Sequence, residues 1–155
     1  MIMKKAIVLM FFILFSLTAQ SQESEWFTDV AKASEVSMNS KKPIMFFFTG
    51  SDWCGWCIRL QREVFLTPEF RKWAKDNVVL VELDFPRRKA LAPELMQQNG
   101  QLQQMFAVRG YPTAWFVTPV KKDGKVSFTR LGSTGYVAGG PTKWLEGANT
   151  ILANK

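Results

Sequence analysis

The chain has 155 residues, 47% of them hydrophobic, with two cysteines, no histidine and a formal net charge of +7. Without a targeting leader, about 130 residues remain, enough for one compact domain with its own apolar core. With two cysteines and no histidine a second Cys or His pair is missing, so a zinc site would need two carboxylates or a dimer and none is expected. The basic residues are scattered (Arg59 and Arg62, Arg87 to Lys89, Lys121 and Lys122), and most aromatics fall inside apolar patterns. Neither feature resembles the clustered cations and stacking platform of a nucleic-acid reader, so no nucleic-acid partner is expected.

Residues 1–21 read as a signal peptide. Lys4 and Lys5 precede the apolar run Ala6 to Phe15, and Ala19-Gln20-Ser21 offers small residues for cleavage before Gln22. The run is shorter than the roughly 20 apolar residues that a spanning helix needs, although an uncleaved anchor is the alternative. The expected mature chain is one domain, residues 22–155, periplasmic or secreted and without a transmembrane segment. In an oxidising compartment, two thiols three residues apart form a disulfide unless something reduces them.

Trp26 to Met38 carries apolar and small residues at helical spacing. Ile44 to Thr49 reads as a buried strand, and Gly50 to Trp53 leads from it into Cys54-Gly55-Trp56-Cys57. The segment Ile58 to Phe65 is an amphipathic helix with Cys57, Leu60 and Val64 on one face. Thr67-Pro68 restarts the helix, with Thr67 as N-cap and Pro68 at the first helical position. Val78 to Phe85 is a β-branched strand, and Pro93 to Phe106 a helix weakened by Asn99-Gly100. After the loop Val108 to Pro112, Thr113 to Thr118 forms a strand, and Lys122-Asp123-Gly124 turns the chain into the strand Val126 to Leu131. Thr142 to Leu152 closes the chain as a helix.

This order predicts an α/β fold with a mixed central sheet and helices on both faces. The first two long strands should run parallel and the last two antiparallel. A cysteine pair where a strand ends and a helix begins is placed for redox chemistry. The helix N-terminus presents free N–H groups and a partial positive charge, which favour thiolate over thiol. Such a bridge closes too small a loop to contribute much stability through chain entropy, so its value is chemical.

Trp53-Cys54-Gly55-Trp56-Cys57 after a hydrophobic strand, with Gly110-Tyr111-Pro112-Thr113 before a later one, resembles the thioredoxin-fold family. Gly50 to Cys57 and Thr67-Pro68-Glu69-Phe70 are similar to exported bacterial thioredoxin-like proteins. The resemblance covers Trp26 to Leu152. It implies a thiol–disulfide oxidoreductase with Cys54 as nucleophile, Cys57 as resolving cysteine, no cofactor and no metal. It further implies a cis Tyr111–Pro112 bond, with the Gly110, Tyr111 and Pro112 backbone pairing with an extended substrate and Trp53 and Trp56 as an apolar rim. Of the two tryptophans, Trp56 is expected to be the exposed one.

The chain also departs from the family pattern. The buried aspartate usual six residues before the first cysteine is Phe48 here, and a common neighbouring lysine corresponds to Glu82, a candidate proton acceptor if it faces Cys57. Gly55-Trp56 lacks the histidine of strongly oxidising enzymes, which favours a reductase or isomerase acting on cysteine-containing proteins and fed by a membrane electron donor. A binding or chaperone module with little redox turnover is the competing reading.

Overall fold

A computed structural model describes residues 25–154, and the proposed leader lies outside them. Strand β1 (Trp26–Phe27) is followed by α1 (Val30–Ser40), β2 (Ile44–Thr49), α2 (Gly55–Leu60) with a π-helical turn (Gln61–Phe65), and α3 (Pro68–Asn77). Then come β3 (Val79–Asp84), α4 (Pro93–Met105), β4 (Thr113–Lys122), β5 (Lys125–Thr134) and α5 (Gly140–Leu152). The five strands form one sheet in the order β1-β3-β2-β4-β5.

The predicted directions hold. β2 runs parallel to β3, and β4 pairs antiparallel with both β2 and β5. One element differs in kind. Trp26 and Phe27, read as the start of a helix, instead pair in parallel with Leu80 and Val81. The helix begins only after Asp29, whose carboxylate accepts the N–H groups of Ala31 and Lys32 and so fixes the N-cap. The last hairpin is longer than its sequence pattern predicted. Pro119 lies within β4, and the turn is closed by Asp123 and Gly124, both at positive φ (51° and 76°).

β2 is buried at every position and divides its side chains between two cores. Met45 and Phe47 face a cluster that holds Cys54, Cys57, Leu60, Phe65, Phe70 and Trp144, contributed by α2, its π turn, α3 and α5. Ile44, Phe46 and Phe48 face the other cluster, with Val30, Ala33, Leu102 and Phe106 from α1 and α4. Helices therefore cover both faces of the mixed sheet, the arrangement that the resemblance implies. Period-2 alternation on a strand buried on both faces explains why Ile44 to Phe48 reads as one unbroken apolar run.

Candidate active site

The cysteine pair stands where β2 hands the chain to α2. Cys54 is the N-cap, in extended conformation, and its Sγ accepts the Cys57 N–H at 3.2 Å. The two form a disulfide with S–S 2.08 Å and Cα–Cα 5.2 Å. Cys54 is 6% exposed and Cys57 1%, so Cys54 is the outer of two largely covered sulfurs.

The loop before them is tightly built. Cys54 N–H donates to the Gly50 carbonyl at 2.8 Å. The Trp53 indole folds over Gly50, where a Cβ would meet the ring at 2.4 Å, so this position has no room for a side chain. Three groups tie the loop to the chain leaving β3. Asp84 accepts the Ser51 N–H at 2.8 Å and its hydroxyl at 2.6 Å. Asp52 accepts the N–H groups of Arg87 (2.9 Å) and Arg88 (2.7 Å), and these hold its carboxyl below the usual range, the Arg87 bond foremost. Trp53 Nε1 donates to the Phe85 carbonyl at 2.7 Å.

The Tyr111–Pro112 peptide bond is cis. The Tyr111 ring meets Trp53 edge-on at 5.8 Å and Phe85 at 5.3 Å, so the proline loop, the cysteine loop and the loop after β3 share one aromatic contact. Gln103 Nε2 donates to the Tyr111 hydroxyl at 2.5 Å. Gly135, after β5, approaches the same proline, since a Cβ there would lie 3.3 Å from the Pro112 carbonyl oxygen.

Between the two cysteines, Trp56 is 55% exposed and packs against Tyr136 at 5.0 Å. The Arg59 guanidinium lies 5.4 Å from the Trp56 ring and 5.2 Å from the Tyr136 ring. Glu63 joins the group, accepting from Arg59 Nε at 2.7 Å and from the Tyr136 hydroxyl at 2.6 Å. Those bonds, Tyr136 first, lower the Glu63 pKa, and Glu63 in turn raises that of Tyr136.

Glu82 is half-buried on β3, opposite Phe47. Leu80, two residues earlier on the same strand, packs in the cysteine-side cluster, and the Gln61 side chain on the π turn acts on the Glu82 carboxyl. Burial pushes its pKa up, Asp84 adds to the rise, and Lys89 and Gln61 oppose it. Among the described residues no group of three or more His, Cys, Asp or Glu could hold a metal ion.

A family model described as a thioredoxin-like domain matches residues 30–146. The chain belongs to the thioredoxin-like domain family. It is 37% identical over 109 residues to the disulfide bond reductase DsbH of Chlamydia pneumoniae, a match covering 70% of this chain and 66% of that protein. It is also 27% identical over 124 residues to the thioredoxin-related protein DsbJ of the same organism, covering 78% of this chain. The matched stretch spans just under two thirds of DsbH and only 34% of DsbJ. The solved structure of a DsbH oxidoreductase superimposes with TM-score 0.74 at 31% identity, covering 84% of this chain and 85% of that one.

Within this thioredoxin-like domain, the sequence-predicted residues Trp53, Cys54, Gly110, Tyr111 and Pro112 lie on the loops just described, and Trp56 and Cys57 in the first turn of α2. Phe48 is a correction. It faces the cluster away from the cysteines, stacked on Phe85 at 6.5 Å, so the residue facing the cysteine helix beside Glu82 is Phe47. Counting six residues back from Cys54 lands on the wrong face because side chains of a strand alternate. The tightly bonded Gly50–Trp53 loop hides that parity from the sequence. Sequence reasoning missed Asp52, Arg59, Glu63, Arg87 and Tyr136. The Arg59–Glu63 pair carried a legible i,i+4 signal; Asp52, Arg87 and Tyr136 reach the site through loops whose paths no local pattern encodes.

Proposed function

We propose that the protein is an exported thiol–disulfide oxidoreductase that exchanges disulfides with protein substrates through Cys54 and Cys57, running mainly as a reductase. The observation that carries this reading is the position of Cys54. Its sulfur caps the cysteine helix and already accepts the Cys57 N–H, so charge on the thiolate is stabilised where it forms.

In the reduced protein the Cys54 thiolate attacks one sulfur of a substrate disulfide, forming a mixed disulfide and expelling the other substrate sulfur as a thiolate. Cys57 then loses its proton and attacks Cys54 Sγ. This releases the second substrate thiolate and forms the Cys54–Cys57 disulfide, so the protein loses the two electrons that the substrate gains. Glu82 is the candidate acceptor of the Cys57 proton through water, since it faces the cysteine helix and its raised pKa suits a base. Trp56 and Trp53 form the apolar rim, and the backbone at Gly110 to Pro112 pairs with the extended substrate.

Two facts support the reducing direction: the chain has no histidine to stabilise the reduced pair further, and its relative DsbH is named a disulfide bond reductase. A membrane electron donor would return the disulfide to dithiol. Export rests on the leader at residues 1–21, and N-terminal sequencing of the protein recovered from the periplasm tests it.

Insulin reduction tests the activity. The wild type should reduce insulin and Cys54→Ser should not, while Cys57→Ser should accumulate mixed disulfides. Binding of unfolded protein by the double Cys→Ser variant, with no turnover by the wild type, would instead favour a binding module.

A further inference from the structure

We infer that the Trp53 side of the disulfide is a subsite for acidic side chains, in which Arg87 and Arg88 select protein substrates carrying Asp or Glu beside the reacting cysteine. This rests on the exchange activity proposed above and names its substrate class.

The Arg87 guanidinium lies 3.7 Å from the centre of the Trp53 ring, and Trp53 immediately precedes Cys54. A guanidinium stacked on a ring keeps its N–H edge free for a carboxylate fork. The two carboxylates that bind this loop and the cysteine loop are already committed. Asp52 binds the backbone N–H groups of Arg87 and Arg88, and Asp84 binds Ser51 and, at 3.0 Å, the Lys89 ammonium. Both Arg87 and Arg88 are exposed, and among the described residues neither side chain makes an ion pair.

The loop that carries them is fixed before any substrate arrives. Asp52 and the Trp53 indole bond three of its backbone groups, so an incoming carboxylate meets a cation whose ordering cost is largely met. The rim at Trp56 differs in charge. Arg59 stacks on Trp56 and Tyr136 in a comparable way, but Glu63 neutralises it at 2.7 Å. The Trp53 rim therefore offers an unpaired cation and the Trp56 rim a neutral aromatic surface, an asymmetry that also orients the substrate. Exposed Arg109, on the loop leading to Gly110, adds positive charge on the proline side.

The test uses reduced protein in single-turnover reactions with disulfide peptides that differ only in carrying Glu, Gln or Lys beside the cysteine. The second-order rate constant should fall in the order Glu, Gln, Lys. The Glu peptide should react about three- to tenfold faster than the Gln peptide at low ionic strength, and this advantage should shrink in high salt. Arg87→Gln/Arg88→Gln should remove the preference, and Arg87→Glu/Arg88→Glu should reverse it. Equal rates for all three peptides in the wild type, or a preference that survives in Arg87→Gln/Arg88→Gln, would overturn the inference. Peptides with serine in place of cysteine, titrated by tryptophan fluorescence, read the subsite without chemistry. If no peptide is reduced, the exchange reading falls, while the binding order of the serine peptides still decides the subsite.

Discussion

In the proposed cycle Cys57, at 1% exposure, loses a proton inside the cysteine-side core before it attacks, and Glu82 is the half-buried carboxylate on β3 opposite Phe47 of that core. Glu82→Gln should therefore slow release of the mixed disulfide by on the order of 10²-fold while leaving its formation nearly intact, as read by quenched-flow trapping. The same residue makes a stability prediction. Burial raises its folded-state pKa above the ordinary glutamate value of 4.5, so the folded state holds the proton more tightly than the unfolded state. Its contribution is then most favourable below that value and is lost as pH rises from there through the raised folded pKa. Denaturant titrations across that window should show stability falling with pH in the wild type, and Glu82→Gln should flatten that part of the profile and be the more stable protein at neutral pH. Gly50 is a packing position. Gly50→Ala drives a Cβ into the Trp53 indole, and a cost of about 1–3 kcal/mol is expected by chemical denaturation.

At the scale of elements, the strands and helices with a local signal were legible in the sequence. Thr67 caps α3 as its Thr-Pro pattern predicts, accepting the Phe70 N–H at 3.3 Å, and Thr67→Ala should cost about 1 kcal/mol in thermal or chemical unfolding. Asn99-Gly100, read as a weak point, leaves α4 continuous because Asn99 is buried and its Nδ2 donates to the Asp84 carbonyl at 3.0 Å. That is a tertiary contact overriding a local preference. β1 was missed for the complementary reason. Two residues carry no readable period, and their strand exists only because the edge of β3 is there to pair with. The cysteine motif and the proline loop were legible as chemistry, whereas the Asp52, Asp84 and Trp53 bonds that hold the loops together depend on residues more than 30 positions apart.

For the whole molecule, the sheet sets two cores back to back and places the disulfide at the edge of one of them, ringed by three loops and the Tyr136 segment. The aromatic packing continues from the rim to the interior: Trp144, 1% exposed, meets Phe65, Phe70, Trp73 and Phe116, and its Nε1 donates at 3.0 Å to the carbonyl of Gly135, the residue that abuts Pro112. A rigid scaffold of this kind leaves the redox couple to be set by the groups at the helix terminus, and among these there is no histidine to favour the thiolate further. The decisive measurement is the reduction potential of the Cys54–Cys57 couple, obtained by equilibration against glutathione with tryptophan fluorescence as the readout. The account predicts a value closer to about −270 mV, as in thioredoxin, than to about −120 mV, as in a dedicated oxidase. A potential near the oxidase value, or no redox transition at all, would contradict it.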